Sequence, residues 1–336
     1  MSVRVRIAPS PTGSIHIGLA RTALYNALYA RKHEGTFVLR VEDTDEKRNM
    51  ESSEQQIYDG LRWLGINWDE GPDKGGDYGP YRQSERKTLY RKYLEQLVGE
   101  NKIYPCYCTR EELERERNEQ QKHGLPPIYS GRCRTANAER IDAWKREGRE
   151  PILRFATHGE RLTFDDLVRG RIEFHAEYIG DFSVARDLDH PLYNFAVVID
   201  DTLMQISHVI RGEEHLSNTP KQMLLLQAIG ASIPVYAHLP LLLGTDRKKL
   251  SKRDDAVSVG EYREQGFLPE ALLNFLALLG WHPKDDRERF TFDELVEVFR
   301  LEDVQKAGAI VDRKKLESIN AQYIRSMPPR EVIQRA

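Results

Sequence analysis

The segment VRVRIAPSPTGSIHIGLA, residues 3–20, decides the fold of this chain. Residues Val3 to Ala8 begin with alternating apolar and charged side chains, which predicts a β-strand. A turn of proline, serine, threonine and glycine follows at 9–13, and apolar residues then recur at helical spacing from Ala20 to Leu28. A strand, a turn and a helix in this order are typical of a parallel α/β sheet, which binds ligands beyond the carboxyl ends of its strands.

His16 and Gly18 lie where this predicted helix begins. Gly13 and Gly18 have no Cβ, so the backbone can come close to a phosphate or an adenine. The helix start offers free N–H groups and a positive dipole end to an anion, and His16 can donate a hydrogen bond to a phosphoryl oxygen. An ordinary turn capped by Thr12 would also contain a histidine and a glycine, but the preceding strand and the PSPTG lead-in favour a nucleotide site.

A second signature, RKKLSKR, occupies residues 247–253, and five of its seven residues are basic. A solvated charged turn has the same composition, whereas the preceding GTD at 244–246 and the interleaved Leu250 favour a positioned loop. Lysines directed at an α-phosphate stabilise the charge that develops as pyrophosphate is displaced. Two distant segments that contact one ATP would form an adenylating active site.

The remaining sequence alternates between sheet and helix patterns. We expect a second strand at 36–41, helices around 57–64 and 84–97, and further strands at 192–201 and 206–211. Three cysteines and long charged stretches at 104–151, followed by short strand-like pieces up to 189, indicate an insertion. The run at 268–279 is apolar on most sides, which predicts a well-buried helix.

Composition places the chain among ordinary globular proteins. Of its 336 residues, 40% are apolar and 31% are charged, and no run approaches the ~20 apolar residues of a membrane span. The N-terminus lacks the apolar core of a secretory signal, and three cysteines favour a reducing, cytoplasmic compartment over a disulfide framework. The net charge of −3 neither indicates nor excludes a nucleic-acid partner, because such partners are recognised by local patches.

The two signatures resemble those of class I aminoacyl-tRNA synthetases, usually spelled HIGH and KMSKS. The first reads HIGL here, with Leu19 in the last position, a departure that is common in the glutamyl branch. Five further motifs in order are similar to the glutamyl-tRNA synthetase family: RIAPSPTG at 6–13, VEDTD at 41–45, GPYRQS at 79–84, VIRGEEH at 209–215 and GFLPEAL at 266–272. The resemblance covers nearly the whole chain.

This resemblance implies an α/β fold with a Rossmann-like parallel-sheet catalytic domain in two halves, at 1–102 and 191–244. Between the halves it places an inserted α+β acceptor-binding domain at 103–190. The KMSKS-like loop and a helical stem-contact domain would follow at 245–336. Members of the family carry a further anticodon-binding domain, and we expect this chain to be a catalytic part without it, either shortened or naturally short.

The resemblance also implies roles for individual residues. Arg6 and Arg211 would read the carboxylates of glutamate, because a guanidinium binds a carboxylate bidentately. The other predicted glutamate-binding residues are Ala8, Ser10, Glu42, which would face the ammonium, and Tyr193. The predicted ATP-binding residues are His16, Gly18, Glu214 and Lys252, and the predicted catalytic residues are His16, Lys249 and Lys252. Arg6 as an edge-strand charge and Glu42 as a strand-end cap are the plainer alternatives.

The cysteines are similar to a zinc site of the family. Many bacterial members hold zinc with three cysteines and a histidine two positions after the last, but Thr135 stands there in this chain. In a related paralogue a tyrosine four residues before the last cysteine is the fourth ligand, which here is Tyr129. The resemblance therefore implies a tetrahedral zinc site of Cys106, Cys108, Tyr129 and Cys133, with three metal-free buried thiols as the alternative.

The implied activity is that of a glutamate–tRNA ligase, which uses ATP and Mg²⁺ to form glutamyl-adenylate and transfers glutamate to the 3′ end of tRNA(Glu). We expect a cytoplasmic monomer with no membrane partner. Three rivals remain at this stage: a short paralogue that glutamylates a modified anticodon base, a glutaminyl enzyme, and a catalytically silent tRNA-binding protein. Arg211 argues against the glutaminyl enzyme, because a guanidinium suits a side-chain carboxylate better than an amide.

Overall fold

The computed structural model describes residues 2–11, 13–44, 51–159, 161–175, 179–248, 250, 258–285 and 287–335. The predicted lysines of the second signature, Lys249 and Lys252, lie outside these residues. Within the described chain no helix has the length and apolar character that crossing a membrane requires.

Strands and helices alternate along the chain. The strands are β1 Arg4–Ile7, β2 Thr36–Leu39, β3 Ile103–Cys106, β4 Ile152–Phe155, β5 Arg161–Asp166, β6 Gly170–His175, β7 Phe182–Ala185, β8 His208–Gly212, β9 Val235–Leu239, β10 Leu242–Leu243 and β11 Ala309–Ile310. The helices are α1 Ile17–Lys32, α2 Glu51–Trp63, α3 Lys87–Gly99, α4 Arg110–Lys122, α5 Ala138–Arg146, α6 Tyr193–Leu203, α7 Thr219–Ala228, α8 Val259–Glu264, α9 Pro269–Ala277, α10 Phe292–Val298, α11 Arg313–Ser326 and α12 Pro329–Arg335. Short 3₁₀ helices span Gln83–Arg86, Glu213–Asn218 and Leu301–Asp303.

Parallel strands form the centre of the molecule. β1 pairs in parallel with β2 from Arg4↔Thr36 to Ile7↔Leu39, and β8 pairs in parallel with β9. The two pairs meet where Ser207 N donates to Arg4 O at 3.0 Å. Within each pair the two strands therefore end at the same edge, and the sequence-based expectation of a parallel α/β sheet is confirmed.

A hairpin from the predicted insertion extends this sheet. β5 and β6 pair antiparallel over their whole length, and β5 meets β9 in parallel at Asp166↔Tyr236. The remaining strands of the segment form a separate antiparallel sheet in the order β3-β4-β7. The segment at 103–190 thus contains both a small sheet with helices of its own and a hairpin that belongs to the sheet of β8 and β9.

The segment at 192–201 is a helix, and the strand predicted there is wrong. It forms α6, whose residues from Phe195 to Asp201 are buried. A short run that is apolar on all sides fits a buried strand and a buried helix equally well, because neither needs a polar face. The helical assignment places Asp200 and Asp201 on the last turns of α6, next to the sheet.

The C-terminal helices pack against α1. The hydroxyl of Tyr25 donates to the carbonyls of Ala277 and Leu279, each at 3.0 Å, and Arg21 donates to the carbonyl of Leu279 at 3.2 Å. Every residue of α9 from Ala271 to Ala277 is buried, which confirms the predicted buried helix. These contacts fix the segment that follows the second signature against the helix that follows the first.

Candidate active site

His16 is the N-cap of α1. Its backbone is extended, with φ −85° and ψ 156°, and its Nδ1 accepts a hydrogen bond from Leu19 N at 3.1 Å. Because Nδ1 is an acceptor, the neutral imidazole carries its proton on Nε2. The exposed ring therefore presents an N–H donor at the start of a helix, where an anion is favoured.

Gly18 makes room for this ring. A Cβ at position 18 would lie 3.1 Å from Nδ1 and 3.2 Å from Cε1 of His16, so a side chain there would push the imidazole away. The spacing of histidine and glycine is therefore a packing requirement as well as an opening for a ligand.

Residues 258 and 259, which follow the second signature, lie beside the first signature. Ser258 forms an antiparallel bridge with His16, and Val259 N donates to Ile15 O at 2.9 Å. On the other side, Leu250 N donates to Leu242 O at 3.1 Å. The chain that contains Lys249 and Lys252 is thus tied at Ser258 to the residues of the first signature.

Arg6 and Glu42 lie at the carboxyl ends of β1 and β2, joined by a buried ionic network. Arg6 is 4% exposed, and its Nε lies 3.2 Å from Asp201 Oδ1. Arg40 binds the same carboxylate at 2.7 Å and reaches Glu42 at 3.1 Å. Burial raises the pKa of Glu42 above its ordinary value. The charges of Arg40 and Arg6 therefore do not fully offset the cost of burying this carboxylate.

Arg211 lies on the neighbouring strand β8 and is paired differently. It is 4% exposed, and its Nη2 donates to Thr219 Oγ1 at 2.9 Å. Its Nη1 is buried without a hydrogen-bond partner among the described residues. Burial lowers the pKa of Arg211, and the charge of Arg6 acts in the same direction. A desolvated cation of this kind is suited to an anionic ligand.

Tyr193 and His215 lie near Arg211. The hydroxyl of Tyr193 lies 3.2 Å from Nδ1 of His215. Burial and the charge of Arg211 lower the pKa of His215 to about 4, so the ring is neutral near pH 7. The charges of Glu42, Arg211 and Arg6 all act on the Tyr193 hydroxyl, which places these four residues in one electrostatic environment.

The remaining predicted contacts lie in the segments that follow β1 and β8. Ala8 is half-buried and Ser10 is exposed, and both follow β1 directly. Glu42 N donates to Pro9 O at 2.9 Å, which holds this loop against the end of β2. Glu214 is exposed in the 3₁₀ helix after β8, and its charge acts on Arg21 and His215. The structure thus brings the described candidates to one edge of the sheet.

Sequence reasoning missed the residues that support the predicted ones. Asp200 is fully buried and accepts from Gln83 at 2.8 Å, from Arg86 at 2.6 Å and from Tyr90 at 2.9 Å. Two adjacent aspartates at the end of an apolar run were the available signal, because buried carboxylates require partners. The misassigned strand at 192–201 concealed where those carboxylates point.

The predicted metal ligands also come together, in a separate cluster. The sulfur atoms of Cys106, Cys108 and Cys133 lie within 4.8 Å of one another. The Tyr129 hydroxyl is 3.5 Å from Cys106 Sγ and 3.4 Å from Cys108 Sγ. A tetrahedral zinc ion with thiolate ligands has edges of roughly 3.8 Å, so these four atoms fit such an ion.

Comparisons with known proteins agree with this geometry. The family model "tRNA synthetases class I (E and Q), catalytic domain" matches residues 2–318. A glutamate–tRNA ligase of Symbiobacterium thermophilum is 53% identical over 329 residues, which are 97% of this chain and 68% of that protein. One of Sulfurihydrogenibium sp. is 50% identical over 324 residues, 96% of this chain and 68% of that protein.

Solved structures are similar over the same range. The crystal structure of the glutamate–tRNA synthetase from Elizabethkingia anophelis has a TM-score of 0.91 at 37% identity and covers 99% of this chain and 73% of that one. A glutamate–tRNA ligase from Elizabethkingia meningosepticum, solved in complex with its amino acid, has a TM-score of 0.88 at 38% identity, with 97% and 70% covered. The chain belongs to the class I tRNA synthetases of the glutamate and glutamine group, as the sequence motifs predicted. It spans about two thirds of the length of the curated relatives.

Proposed function

We propose that this chain carries the catalytic activity of a glutamate–tRNA ligase. Curated relatives with that name are about 50% identical over nearly the whole chain. The observation that carries the substrate assignment is the buried guanidinium of Arg211, whose Nη1 has no partner among the described residues. A carboxylate can accept two charge-assisted hydrogen bonds from a guanidinium, whereas the amide of glutamine offers it one neutral carbonyl oxygen.

In the first step the α-carboxylate of glutamate attacks the α-phosphorus of ATP, and pyrophosphate leaves. Arg6 and Arg211 bind the carboxylates of the amino acid, while Glu42 and Tyr193 hold its ammonium group. The Nε2–H of His16 donates to a phosphoryl oxygen, and Lys249 and Lys252 stabilise the charge that develops on the phosphates. Ala8 and Ser10 would also contact the glutamate, and Gly18 and Glu214 would contact the ATP. Mg²⁺ enters with ATP, whose phosphates supply oxygen ligands.

In the second step a hydroxyl of the terminal ribose of tRNA(Glu) attacks the adenylate carbonyl, and AMP leaves. Chemistry of this kind requires little from the protein beyond positioning of the reactants and electrostatic stabilisation. We propose that residues 103–190 bind the acceptor end. Two observations support this division. β3, β4 and β7 form a sheet of their own, and the β5–β6 hairpin, which lies between β4 and β7 in the sequence, joins β9 instead.

The cysteine cluster is proposed as a structural zinc site. Cys106, Cys108, Cys133 and Tyr129 would hold the ion, which would cross-link β3 to the loop that follows α4. The three thiols are free, in agreement with a reducing compartment, and we propose a cytoplasmic monomer. We also propose the domain division 1–102, 103–190, 191–244 and 245–336. The β5–β6 hairpin lies in the second of these segments and pairs with β9 in the third.

Aminoacylation of purified tRNA pools tests the proposal. We expect radiolabelled glutamate, supplied with ATP and Mg²⁺, to become esterified to the 3′ end of tRNA(Glu), and periodate oxidation of the terminal ribose to abolish acceptance. The short-paralogue alternative predicts a product that survives this oxidation, because the glutamate is then attached at the anticodon. A silent binding protein would bind tRNA without consuming ATP.

A further inference from the structure

Asp166 and His238 form a buried pair outside the residues assigned so far. Both side chains are fully buried, and Asp166 Oδ2 lies 2.6 Å from His238 Nδ1. The carboxylate also accepts from the backbone N–H groups of Val168 at 3.0 Å and Arg169 at 2.8 Å. Asp166 ends β5 and His238 lies on β9, so the pair is held at the point where the hairpin joins the catalytic sheet.

The other side of the His238 ring faces Arg211. Nε2 of His238 lies 3.2 Å from Nε of Arg211 and 3.0 Å from Oγ1 of Thr219. Arginine Nε carries a proton at all ordinary pH values and can only donate, so His238 Nε2 must accept. The proton of the neutral ring therefore lies on Nδ1 and is donated to Asp166.

The surroundings of His238 keep this tautomer neutral. Burial lowers the pKa of His238; Asp166 opposes that effect, and the charges of Arg211 and Arg169 reinforce it. The aromatic rings of Tyr236, Phe164 and His238 pack together. A second proton on Nε2 would place two donors, both positively charged, against each other.

These contacts account for all but one arm of the Arg211 guanidinium. His238 holds Nε and Thr219 holds Nη2, and Nη1 remains without a partner among the described residues. The buried Arg86, by contrast, faces the carboxylate of Asp200 at 2.6 Å. Arg211 faces neutral acceptors, which fix its plane but leave its charge available.

We propose that Asp166 and His238 are positioning residues, which orient the guanidinium of Arg211 so that Nη1 is presented to a carboxylate of the amino-acid substrate. This inference rests on the proposed function, since Arg211 is its substrate-binding group. The β5–β6 hairpin then contributes to amino-acid recognition although none of its residues touches the substrate. The ion pair between Arg169, in the turn of the hairpin, and Glu213, two residues after Arg211, fixes the hairpin at a second point.

Isosteric variants separate this role from simple packing. In Asp166→Asn the amide would donate to Nδ1 and force the proton onto Nε2, against Arg211; a buried Asp–His pair depends on its tautomer in this way. His238→Asn keeps a donor toward Asp166 and loses the acceptor toward Arg211. His238→Gln keeps an acceptor at the Nε2 position. Asp165→Asn, at the exposed neighbour on β5, is the matched control.

The experiment measures KM for glutamate and KM for ATP in ATP–pyrophosphate exchange with tRNA present, together with glutamate binding by calorimetry. We expect Asp166→Asn and His238→Asn to raise KM for glutamate about tenfold or more, the effect of losing a hydrogen bond to a charged group. KM for ATP should change less than about twofold, and His238→Gln should bind glutamate better than His238→Asn.

Each outcome separates this inference from the proposed function. Wild-type protein that neither binds glutamate nor supports glutamate-dependent exchange would overturn both. Wild-type activity with normal glutamate binding in Asp166→Asn and His238→Asn would overturn the positioning role alone. Equal loss of glutamate and ATP affinity, or no advantage of His238→Gln over His238→Asn, would show that the pair acts only through packing and would also overturn it.

Discussion

Ser258 pairs through its backbone with His16, so a residue five positions after the second signature lies beside the histidine of the first. The side chain of Ser258 also caps α8, where it accepts from Glu261 N at 3.1 Å. The bridge to His16 and the cap hold one end of the lysine segment in place against a rigid helix start. Convergence of the two signatures on one nucleotide requires such an anchor.

Arg211→Gln should weaken both glutamate binding and the discrimination against glutamine. The amide retains little of the charge-assisted hydrogen bonding of a guanidinium, so KM for glutamate should rise at least about tenfold. Competition between the two amino acids in exchange assays measures the preference directly. Arg161→Gln, an exposed substitution on β5, is the control; an unchanged glutamate preference in Arg211→Gln would remove Arg211 from the pocket.

Titration of Glu42 should cause the loss of kcat/KM for glutamate at acidic pH. Burial raises its pKa above the ordinary value of 4.5, and only the carboxylate attracts the ammonium of the substrate. Glutamate binding is therefore present above this raised pKa and is lost as the pH falls through it. The pH profile of kcat/KM for glutamate reports this group in the free enzyme.

The matched variants for this profile are Glu42→Gln and the exposed Glu95→Gln. We expect Glu42→Gln to lower kcat/KM at neutral pH and to remove this loss at acidic pH, whereas Glu95→Gln keeps it. A wild-type loss centred at or below pH 4.5, or a loss that persists in Glu42→Gln, would assign the titration to another group.

Purified protein should contain about one equivalent of zinc, as expected of a closed tetrahedral site. Cys133→Ser and Tyr129→Phe each remove a proposed ligand and should lower the zinc content, while Thr135→Ala should retain it. Metal analysis by mass spectrometry after dialysis measures the content. Less than about half an equivalent in the wild type would favour three metal-free thiols.

Asp200→Asn should destabilise the catalytic domain strongly. The carboxylate is fully buried and compensates Arg86 at 2.6 Å and Arg40 at 3.6 Å. Removal of one partner from a buried ion pair lowers the free energy of unfolding by about 3–5 kcal/mol. Urea denaturation followed by tryptophan fluorescence measures the loss.

The control for this substitution is Asp189→Asn, because Asp189 pairs with Arg91 at the surface. Its unfolding midpoint should match that of the wild type. Equal midpoints for Asp200→Asn and the wild type would mean that the network around Asp200 contributes little to stability.

Local patterns in the sequence predicted β1, the turn and α1, because alternation, turn residues and helical spacing agree there. They failed at 192–201, where an apolar run carries no periodicity that separates a strand from a helix. Arg6, Glu42 and Arg211 were predicted as site residues from the resemblance to the glutamyl-tRNA synthetase family, and not from local patterns.

The supporting contacts could not be predicted from the sequence. Asp166 and His238 are ordinary polar residues when each is taken alone, and only the pairing of β5 with β9 brings them together. Asp201 meets Arg6 and Arg40 because α6 ends next to the sheet, which is a tertiary relationship. Long-range packing thus decides which charged groups are paired and which, like Arg211, keep an unpartnered donor.

We propose that both signatures contact one ATP, which reacts with glutamate. The most direct measurement is ATP–pyrophosphate exchange by the wild type with tRNA, with and without glutamate, beside Lys252→Ala. Lys248→Ala is the control, because the Lys248 side chain is exposed next to Asp246.

We expect exchange in the wild type only when glutamate is present. We also expect a fall in turnover with Lys252→Ala that corresponds to about 2–4 kcal/mol of transition-state stabilisation, with unchanged glutamate binding and a normal Lys248→Ala variant. Exchange that is independent of glutamate, or full turnover in Lys252→Ala, would contradict the account.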